Sequence, residues 1–104
     1  TGFGLLGHAY KMARASDVSL VIDGGAVPYL EGAHEAAAAG YIPGGSRRNL
    51  DWVRPHLTSS REEHELVLLA DAQTSGGLLV VGELPGYPVI GHVEPRGKTP
   101  LVIR

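Results

Sequence analysis

The abundance of glycine limits the kinds of fold that this sequence can form. The 104 residues include 15 glycines alongside 7 prolines. Together they make up about a fifth of the chain, against a usual share of roughly 12%. A flexible linker could have this composition, but runs of Leu, Val, Ile and Ala separate the glycines and can form a core. The sequence therefore predicts one folded domain with many tight turns, of a size that suits a single core.

Charge and cysteine content exclude several classes of protein. Nine basic and eleven acidic residues give a net charge of −2, so there is no basic excess to bind a nucleic acid. The absence of cysteine excludes disulfides, thiolate metal sites and a cysteine nucleophile within these residues. No apolar run reaches the roughly 18 residues of a membrane span, and no signal segment opens the chain, so a cytoplasmic location is expected. Because the first residue is Thr1, we expect a fragment of a longer protein.

Periodicity in the first 40 residues predicts a helix, a strand and a second helix. A stripe typical of an amphipathic helix runs from residue 5 to about residue 15, with apolar side chains at Leu5, Leu6, Ala9, Met12 and Ala13. Residues 19–23, Ser-Leu-Val-Ile-Asp, have a β-branched and aliphatic centre and stop at two glycines, which predicts a short buried strand. Residues 29–39 are rich in alanine and favour a helix, with Gly40 placed as its C-terminal cap.

The second half of the chain is harder to interpret. Residues 41–59 lose all periodicity and predict a long functional loop. Ser60 and Glu63 have the spacing of a capping box, which predicts a third helix over about 61–69. A polar turn at 71–77 leads into the apolar run 78–81, which is typical of a strand covered on both faces. Two more strands are predicted at 89–93 and 101–104.

Two segments carry residues suited to phosphate binding. Residues 1–4, Thr-Gly-Phe-Gly, open the first predicted helix, where free amides, a positive dipole and unhindered glycines favour an anion. The alternative is a plain turn at a helix entry. Arg47 and Arg48 could clamp a phosphate or carboxylate, with Asn49 adding an amide contact. The alternative there is a solvated pair of arginines on a loop.

Other candidate sites have weaker support. Thr74 and Ser75 could bind a ligand or cap a simple turn. The five histidines lack the spacing of a zinc site, and no Gly-x-Ser-x-Gly elbow is present. Asp23 and Asp71 each follow an apolar run, but one carboxylate does not make a magnesium site. The residues alone therefore predict no catalytic or metal-binding group.

Taken together, three segments resemble the C-terminal domain of the selenophosphate synthetase (selenide, water dikinase) family. They are TGFGLLGH at residues 1–8, PGGSRRNL at 43–50 and ADAQTSGGLL at 70–79. Their order and spacing match as well, and the resemblance runs from residue 1 to about residue 81. Three motifs in register are far more specific than any one of them.

The resemblance implies an enzyme that makes selenophosphate from selenide, ATP and water, releasing AMP and phosphate, with Mg²⁺. It implies a two-domain subunit of the aminoimidazole ribonucleotide synthetase superfamily, dimeric through its N-terminal domains. Residues 1–104 would then be the C-terminal domain alone, with an α/β (α+β) fold. In that fold a mixed sheet of about four strands packs with about three helices and is partly ferredoxin-like. The catalytic cysteine or selenocysteine, its lysine and most of the magnesium-binding aspartates would lie in the absent N-terminal domain, with a further such aspartate just before Thr1. We therefore expect the isolated chain to be inactive.

The same resemblance places nine residues on the phosphate side of an ATP cleft. They are Thr1, Gly2, Gly4, Arg47, Arg48, Asn49, Gln73, Thr74 and Ser75. The expected partner is the enzyme's own N-terminal domain, with no nucleic acid and no membrane. Two alternatives stay open, which are the same domain of a sibling ATP-dependent enzyme of purine or thiamin-phosphate synthesis, and a non-catalytic binding module.

The chain departs from the family after residue 81. The family commonly inserts a helix there, whereas residues 82–88 contain two prolines and two glycines and are too short for a helical crossover. We therefore expect residues 78–81 and 89–93 to pair antiparallel or through a short bridge.

Overall fold

Helices and strands are interspersed along the chain in a computed structural model that describes residues 2–104. Within that range the elements are α1 (Gly4–Ser16), β1 (Val18–Ile22), α2 (Ala33–Ala38), α3 (Gly44–Val53), β2 (Leu57–Ser59), α4 (Glu63–Leu69), β3 (Gly91–Pro95) and β4 (Leu101–Ile103). One turn of 3₁₀ helix, Arg54–His56, joins α3 to β2. The predicted α/β class is confirmed, with one more helix than the three or so expected. Among these helices, none has both the length and the apolar character needed to cross a bilayer.

The four strands form one mixed sheet in the order β2-β4-β1-β3. β1 runs parallel to β4, and β4 runs parallel to β2. β3 is antiparallel to β1, with Leu20 opposite Val93. The expectation of a mixed sheet of about four strands is confirmed.

The hydrophobic core lies between the helices and one face of this sheet. Strand alternation points Leu20 and Ile22 to the helices, while Val21 faces the other way. The helices contribute fully or almost fully buried side chains, which are Leu6, Ala9, Ala13, Leu50, Val53, Leu66 and Leu69. Since each buried aliphatic side chain contributes roughly 1.5–3 kcal/mol, this layer holds α1, α3 and α4 on the sheet.

Predictions with a clear period are confirmed. The helix predicted over 5–15 is α1, and the strands predicted at 19–23 and 101–104 are β1 and β4, within a residue or so of their ends. α2 is shorter than the predicted 29–39. Gly32 directly precedes α2 with a φ of 85°, and Gly40 follows it with a φ of 92°. These left-handed residues bound the helix on both sides.

The long loop predicted over 41–59 is wrong, because α3 and β2 lie within it. Pro43 is extended, with φ −62° and ψ 148°, and α3 begins at the next residue. Its buried side chains are Ser46, Leu50 and Val53, at helical spacing. A serine at one of the three buried positions, with two arginines beside it, hid this stripe in the sequence.

The capping box predicted at Ser60 is also wrong, since α4 begins only at Glu63 and Glu62 precedes it without a side-chain cap. The hydroxyl of Ser59 accepts the N–H of Arg61 instead, at 3.0 Å. The Arg61 side chain donates to the carbonyl oxygen of Arg104 and to Glu65, at 3.0 Å each. These bonds hold residues 59–61 outside the helix, which corrects the predicted helix start at residue 61.

Residues 78–81 are not the doubly covered strand that was predicted. They lie outside the sheet, and Leu78 is 94% exposed. The strand predicted at 89–93 is shifted to β3, and it pairs with β1 rather than with residues 78–81. The two neighbours of β1, β3 and β4, occupy both of its hydrogen-bonding edges. The apolar run 78–81 therefore has no edge of the central strand left to join.

Candidate functional site

The three sequence motifs meet at one place in the structure. The amide N–H of Gly2 donates to the carbonyl oxygen of Gln73 at 3.0 Å. The side-chain amide of Asn49 donates to the carbonyl oxygens of Gly2, at 2.7 Å, and of Ala70, at 3.0 Å. We call this place the motif junction, consisting of Gly2, Gly4, Ser46, Asn49 and residues 70–75.

Ser46 connects the first turn of α3 to the loop at 71–75 by hydrogen bonds. It is completely buried, and its hydroxyl donates to Oδ1 of Asp71 at 2.6 Å. The same hydroxyl accepts the N–H of Ala72 at 3.2 Å. Sequence reasoning missed Ser46, and treated Asp71 only as a lone carboxylate. The available signal was the helical spacing of Ser46 to Leu50 and Val53.

The two glycines of the first motif have different surroundings. Gly4 has a φ of 75°, and a Cβ on it would lie 2.7 Å from the backbone of Ala70 and from the carbonyl oxygen of Asp71. Gly2 has a φ of 86°, and a Cβ there would meet nothing within 4 Å. Close packing of α1 on the 70–75 loop therefore requires Gly4, whereas Gly2 borders open space.

Arg47 and Arg48 are exposed on α3, and neither forms an ion pair with any of residues 2–104. The Arg48 guanidinium folds back to the helix start, where Nη1 lies 3.1 Å from the Cβ position of Gly44. The first turn of α3 has no side-chain cap. An uncompensated guanidinium beside uncapped helix amides attracts an anion.

The remaining predicted residues lie on the same loop or beyond the described part of the chain. Gln73, Thr74 and Ser75 are all exposed on the 70–75 loop. Thr1 lies outside the described residues. The structure thus brings Gly2, Gly4, Asn49 and the Gln73 backbone together by direct contacts. It leaves the side chains of Arg47, Arg48, Thr74 and Ser75 facing solvent.

An aromatic cluster that sequence reasoning missed adjoins the motif junction. Phe3, which lies between the two glycines, is 39% exposed, and its ring centroid is 5.6 Å from that of Trp52. The Lys11 ammonium lies 4.9 Å from the Phe3 centroid. Tyr10 packs edge-on against Trp52 at 5.5 Å and stacks on His56 at 4.4 Å. Because Phe3 and Tyr10 lie far in sequence from Trp52 and His56, the packing of α1 on α3 is needed to bring the two pairs of rings together.

Potential metal ligands among residues 2–104 lie away from this junction. Glu62, His64 and Glu65 bring ligand atoms within 4.8 Å of one another near the start of α4. Arg61 already pairs with Glu65 there, at 3.0 Å. Within the described part of the motif junction, Asp71 is the sole carboxylate, and Ser46 bonds it. Within its described residues the motif junction thus offers a cation one carboxylate, which already accepts a hydrogen bond.

Comparison with known proteins gives a consistent result. The chain is 49% identical to the selenide, water dikinase of Caldanaerobacter subterraneus subsp. tengcongensis over 81 residues, covering 77% of this chain and 24% of that protein. It is 51% identical to that of Porphyromonas gingivalis strain ATCC 33277 over 80 residues, covering 77% and 23%. For that of Shewanella putrefaciens the identity is 44% over 104 residues, covering 99% and 29%. No protein-family model matches the chain. The chain spans about a quarter of the length of the curated relatives it matches.

Proposed function

We propose that this chain serves as the C-terminal domain of a longer, two-domain selenide, water dikinase, because it is 49–51% identical over 80–81 residues to proteins of that name. That enzyme would make selenophosphate from selenide, ATP and water, releasing AMP and phosphate, for selenocysteine and selenouridine synthesis. Residues 1–104 would form one domain that closes the phosphate side of the ATP cleft. The catalytic groups would come from the N-terminal domain, so the isolated chain would be inactive.

The observation that supports this role most directly is the convergence of the three motifs at the motif junction. Transfer of a phosphoryl group depends mainly on positioning and on stabilisation of negative charge. Gly2 borders open space at the junction. The start of α3, which supplies Ser46 and Asn49 to the junction, is uncapped and also carries Arg47 and Arg48, whose guanidiniums have no ion-pair partner among residues 2–104. Such a surface can act on an anion held by another domain.

The contacts divide the predicted site residues into two roles. Asn49 uses its side-chain N–H groups on Gly2 and Ala70, and Gly4 is packed against Ala70. We assign these two residues to holding the motifs in place. Arg47 and Arg48, whose guanidiniums are unpaired within the described chain, would make the phosphate contacts. Gln73, Thr74 and Ser75 would add polar groups from the neighbouring loop, and Thr1 would belong to the same edge.

Magnesium and the remaining partners belong to the rest of the proposed enzyme. As the resemblance implies, Mg²⁺ would be held by residues upstream of this chain. The proposal includes a homodimer formed through the N-terminal domains and a cytoplasmic location.

The test uses the full-length protein that carries this chain, with selenide-dependent AMP formation as the readout. We expect the double variant Arg47→Ala/Arg48→Ala to lose at least about tenfold in kcat/KM for ATP, because each charge-assisted contact contributes roughly 1.5–3 kcal/mol. Lys98→Ala, which removes an exposed cation away from the junction, should leave kcat/KM unchanged. The isolated 104 residues should form no AMP.

Three results would contradict the proposal. ATP cleavage that ignores selenide but responds to a purine or thiamin-phosphate precursor would identify a sibling enzyme. Failure of any nucleotide to protect Arg47 and Arg48 from arginine-modifying reagents in the full-length protein would favour a binding module. Equal losses of kcat/KM from Lys98→Ala and from the double variant would show that the two arginines have no specific role.

A further inference from the structure

We propose that Asp71 is a positioning residue, which acts as a hydrogen-bond acceptor for Ser46 and so fixes the start of α3 against the loop at 72–75. Asp71 is the one carboxylate within the described part of the motif junction. Both segments carry residues that the proposed function places at the phosphates, so the effect of Asp71 on the reaction rests on that function.

One hydroxyl joins the two segments. The Ser46 hydroxyl donates to Oδ1 of Asp71 at 2.6 Å, a distance typical of a charge-assisted O–H···O⁻ bond. It also accepts the N–H of Ala72 at 3.2 Å. A hydroxyl that donates and accepts at once is polarised by both partners, which strengthens each bond. Because Ser46 is completely buried, its hydroxyl would stay unsatisfied without the Asp71 acceptor.

Asp71 is itself held by the end of α4. Its backbone N–H donates to the carbonyl oxygen of Leu68 at 3.1 Å. The carboxylate therefore projects from a fixed point, and the bond to Ser46 passes this position on to α3. The first turn of α3 also packs directly on the loop, since a Cβ at Gly45 would lie 3.4 Å from the Cβ of Ala72. The two segments thus meet through one polar link and one close contact.

The residues fixed in this way carry polar groups that face solvent. Arg47 directly follows Ser46, and its guanidinium has no ion-pair partner among residues 2–104. Thr74 and Ser75 lie shortly after Ala72 and are exposed. One carboxylate therefore sets how two groups of side chains lie relative to each other. Phosphoryl transfer depends on such positioning, and a displacement of about 1 Å can lower a rate on the order of 100-fold.

The surroundings of Asp71 favour a role for its oxygen atom rather than for its charge. Within residues 2–104 the carboxylate accepts the bond from Ser46 and forms no ion pair. A negative charge repels an anion bound nearby, so the charge does not help to bind a phosphate at the junction. Asparagine keeps an acceptor oxygen at this position and removes the charge, whereas alanine removes both.

The test measures selenide-dependent AMP formation at saturating ATP by the full-length protein that carries this chain. We expect Asp71→Ala and Ser46→Ala each to lower kcat at least about tenfold, because the groups they hold are displaced. The double variant should lose no more than the larger single loss, since both residues act through one hydrogen bond. Asp71→Asn should keep kcat within about threefold of the original value. The Mg²⁺ concentration for half the maximal rate should also stay unchanged in Asp71→Asn.

Two controls separate positioning from folding. Asp51→Ala removes an exposed carboxylate from the same helix and should leave kcat unchanged. Circular dichroism of each variant would show whether it folds. Asp71→Asn retains the shape of the side chain, so it tests the proposal even if the alanine variants unfold.

Hydrogen exchange in the same proteins gives a readout that does not use the reaction. Exchange of the Ala72 amide should be faster in Asp71→Ala and Ser46→Ala, and unchanged in Asp71→Asn. This pattern in a protein that forms no AMP would contradict the proposed function and leave the positioning role of Asp71 standing. Equal losses of kcat in Asp71→Asn and Asp71→Ala would overturn the proposal, because the charge would then be essential. Normal kcat in Asp71→Ala, or losses that add in the double variant, would overturn it as well.

Discussion

The side-chain amide of Asn49 donates a 2.7 Å hydrogen bond to the carbonyl oxygen of Gly2, across 47 positions of sequence. The same nitrogen donates to the carbonyl oxygen of Ala70 at 3.0 Å. Since a primary amide has two N–H groups, both donors of Asn49 are used. One side chain therefore joins the segment before α1 to the loop after α4.

Replacing Asn49 by aspartate should destabilise the chain strongly. Asn49→Asp keeps the shape of the side chain, but an ionised carboxylate has no proton to donate and would face two carbonyl oxygens. We expect the free energy of unfolding in urea at pH 7 to fall by about 2–3 kcal/mol. Asp51→Asn, an exposed change on the same helix, should stay within about 0.5 kcal/mol of the original chain. Similar values for the two variants would show that the Asn49 bonds contribute little.

Three glycine-to-alanine variants should separate backbone strain from steric overlap. Gly4→Ala combines a φ of 75° with a Cβ only 2.7 Å from the Ala70 backbone, so it should cost more than about 2 kcal/mol. Gly32→Ala has a φ of 85° but open space, so it should cost about 1–2 kcal/mol. Gly77→Ala has neither problem and should change stability by less than about 1 kcal/mol. Thermal unfolding of the three proteins would give this order, and an equal effect at Gly4 and Gly77 would contradict it.

Periodic segments could be predicted from the sequence because their burial is set locally. The apolar stripe of α1 buries one face of the helix, and four successive residues of β1 are buried on both faces of the strand, so the sequence shows both patterns directly. The three motifs also identified the segments that meet at the motif junction. That identification came from the resemblance of the motifs to a family, because no local sequence pattern relates residue 2 to residue 49.

The remaining elements depend on contacts that are distant in sequence. α3 buries Ser46 because Asp71 and Ala72 hydrogen-bond to its hydroxyl, and neither partner is visible in the local pattern. The apolar run 78–81 has the composition of a strand, but it lies outside the sheet, whose central strand β1 is flanked by β3 and β4. Local composition cannot show which of several apolar segments gains the central position.

Ser46→Ala should loosen the loop at 71–75. The variant removes the donor to Asp71 and the acceptor of the Ala72 N–H, both at a buried position. We expect a loss of about 1–3 kcal/mol in unfolding free energy and faster hydrogen exchange at the Ala72 amide. Ser60→Ala is the matched control, since Ser60 is exposed and does not cap α4, and it should cost less than about 0.5 kcal/mol. A larger effect at Ser60 than at Ser46 would contradict both assignments.

Tyr29 should make the stability of the chain depend on pH in the alkaline range. Burial of the phenol, reinforced by the negative charge of Glu65 and opposed by Arg61, raises the pKa of Tyr29 to about 12. In the unfolded chain the pKa of tyrosine is about 10. Between these values the folded protein keeps a proton that the unfolded chain has lost.

The sign of the effect follows from proton binding. Because the unfolded state binds fewer protons in this window, the free energy of unfolding falls as pH rises. The Tyr29 contribution is fully present below about pH 10 and is lost as pH approaches about 12. Tyr29→Phe has no phenol to ionise, so its stability should decline less steeply over the same range. Urea unfolding from pH 9 to 12 for both proteins isolates this difference from the titration of lysines and other tyrosines, and parallel curves would show that Tyr29 ionises normally in the fold.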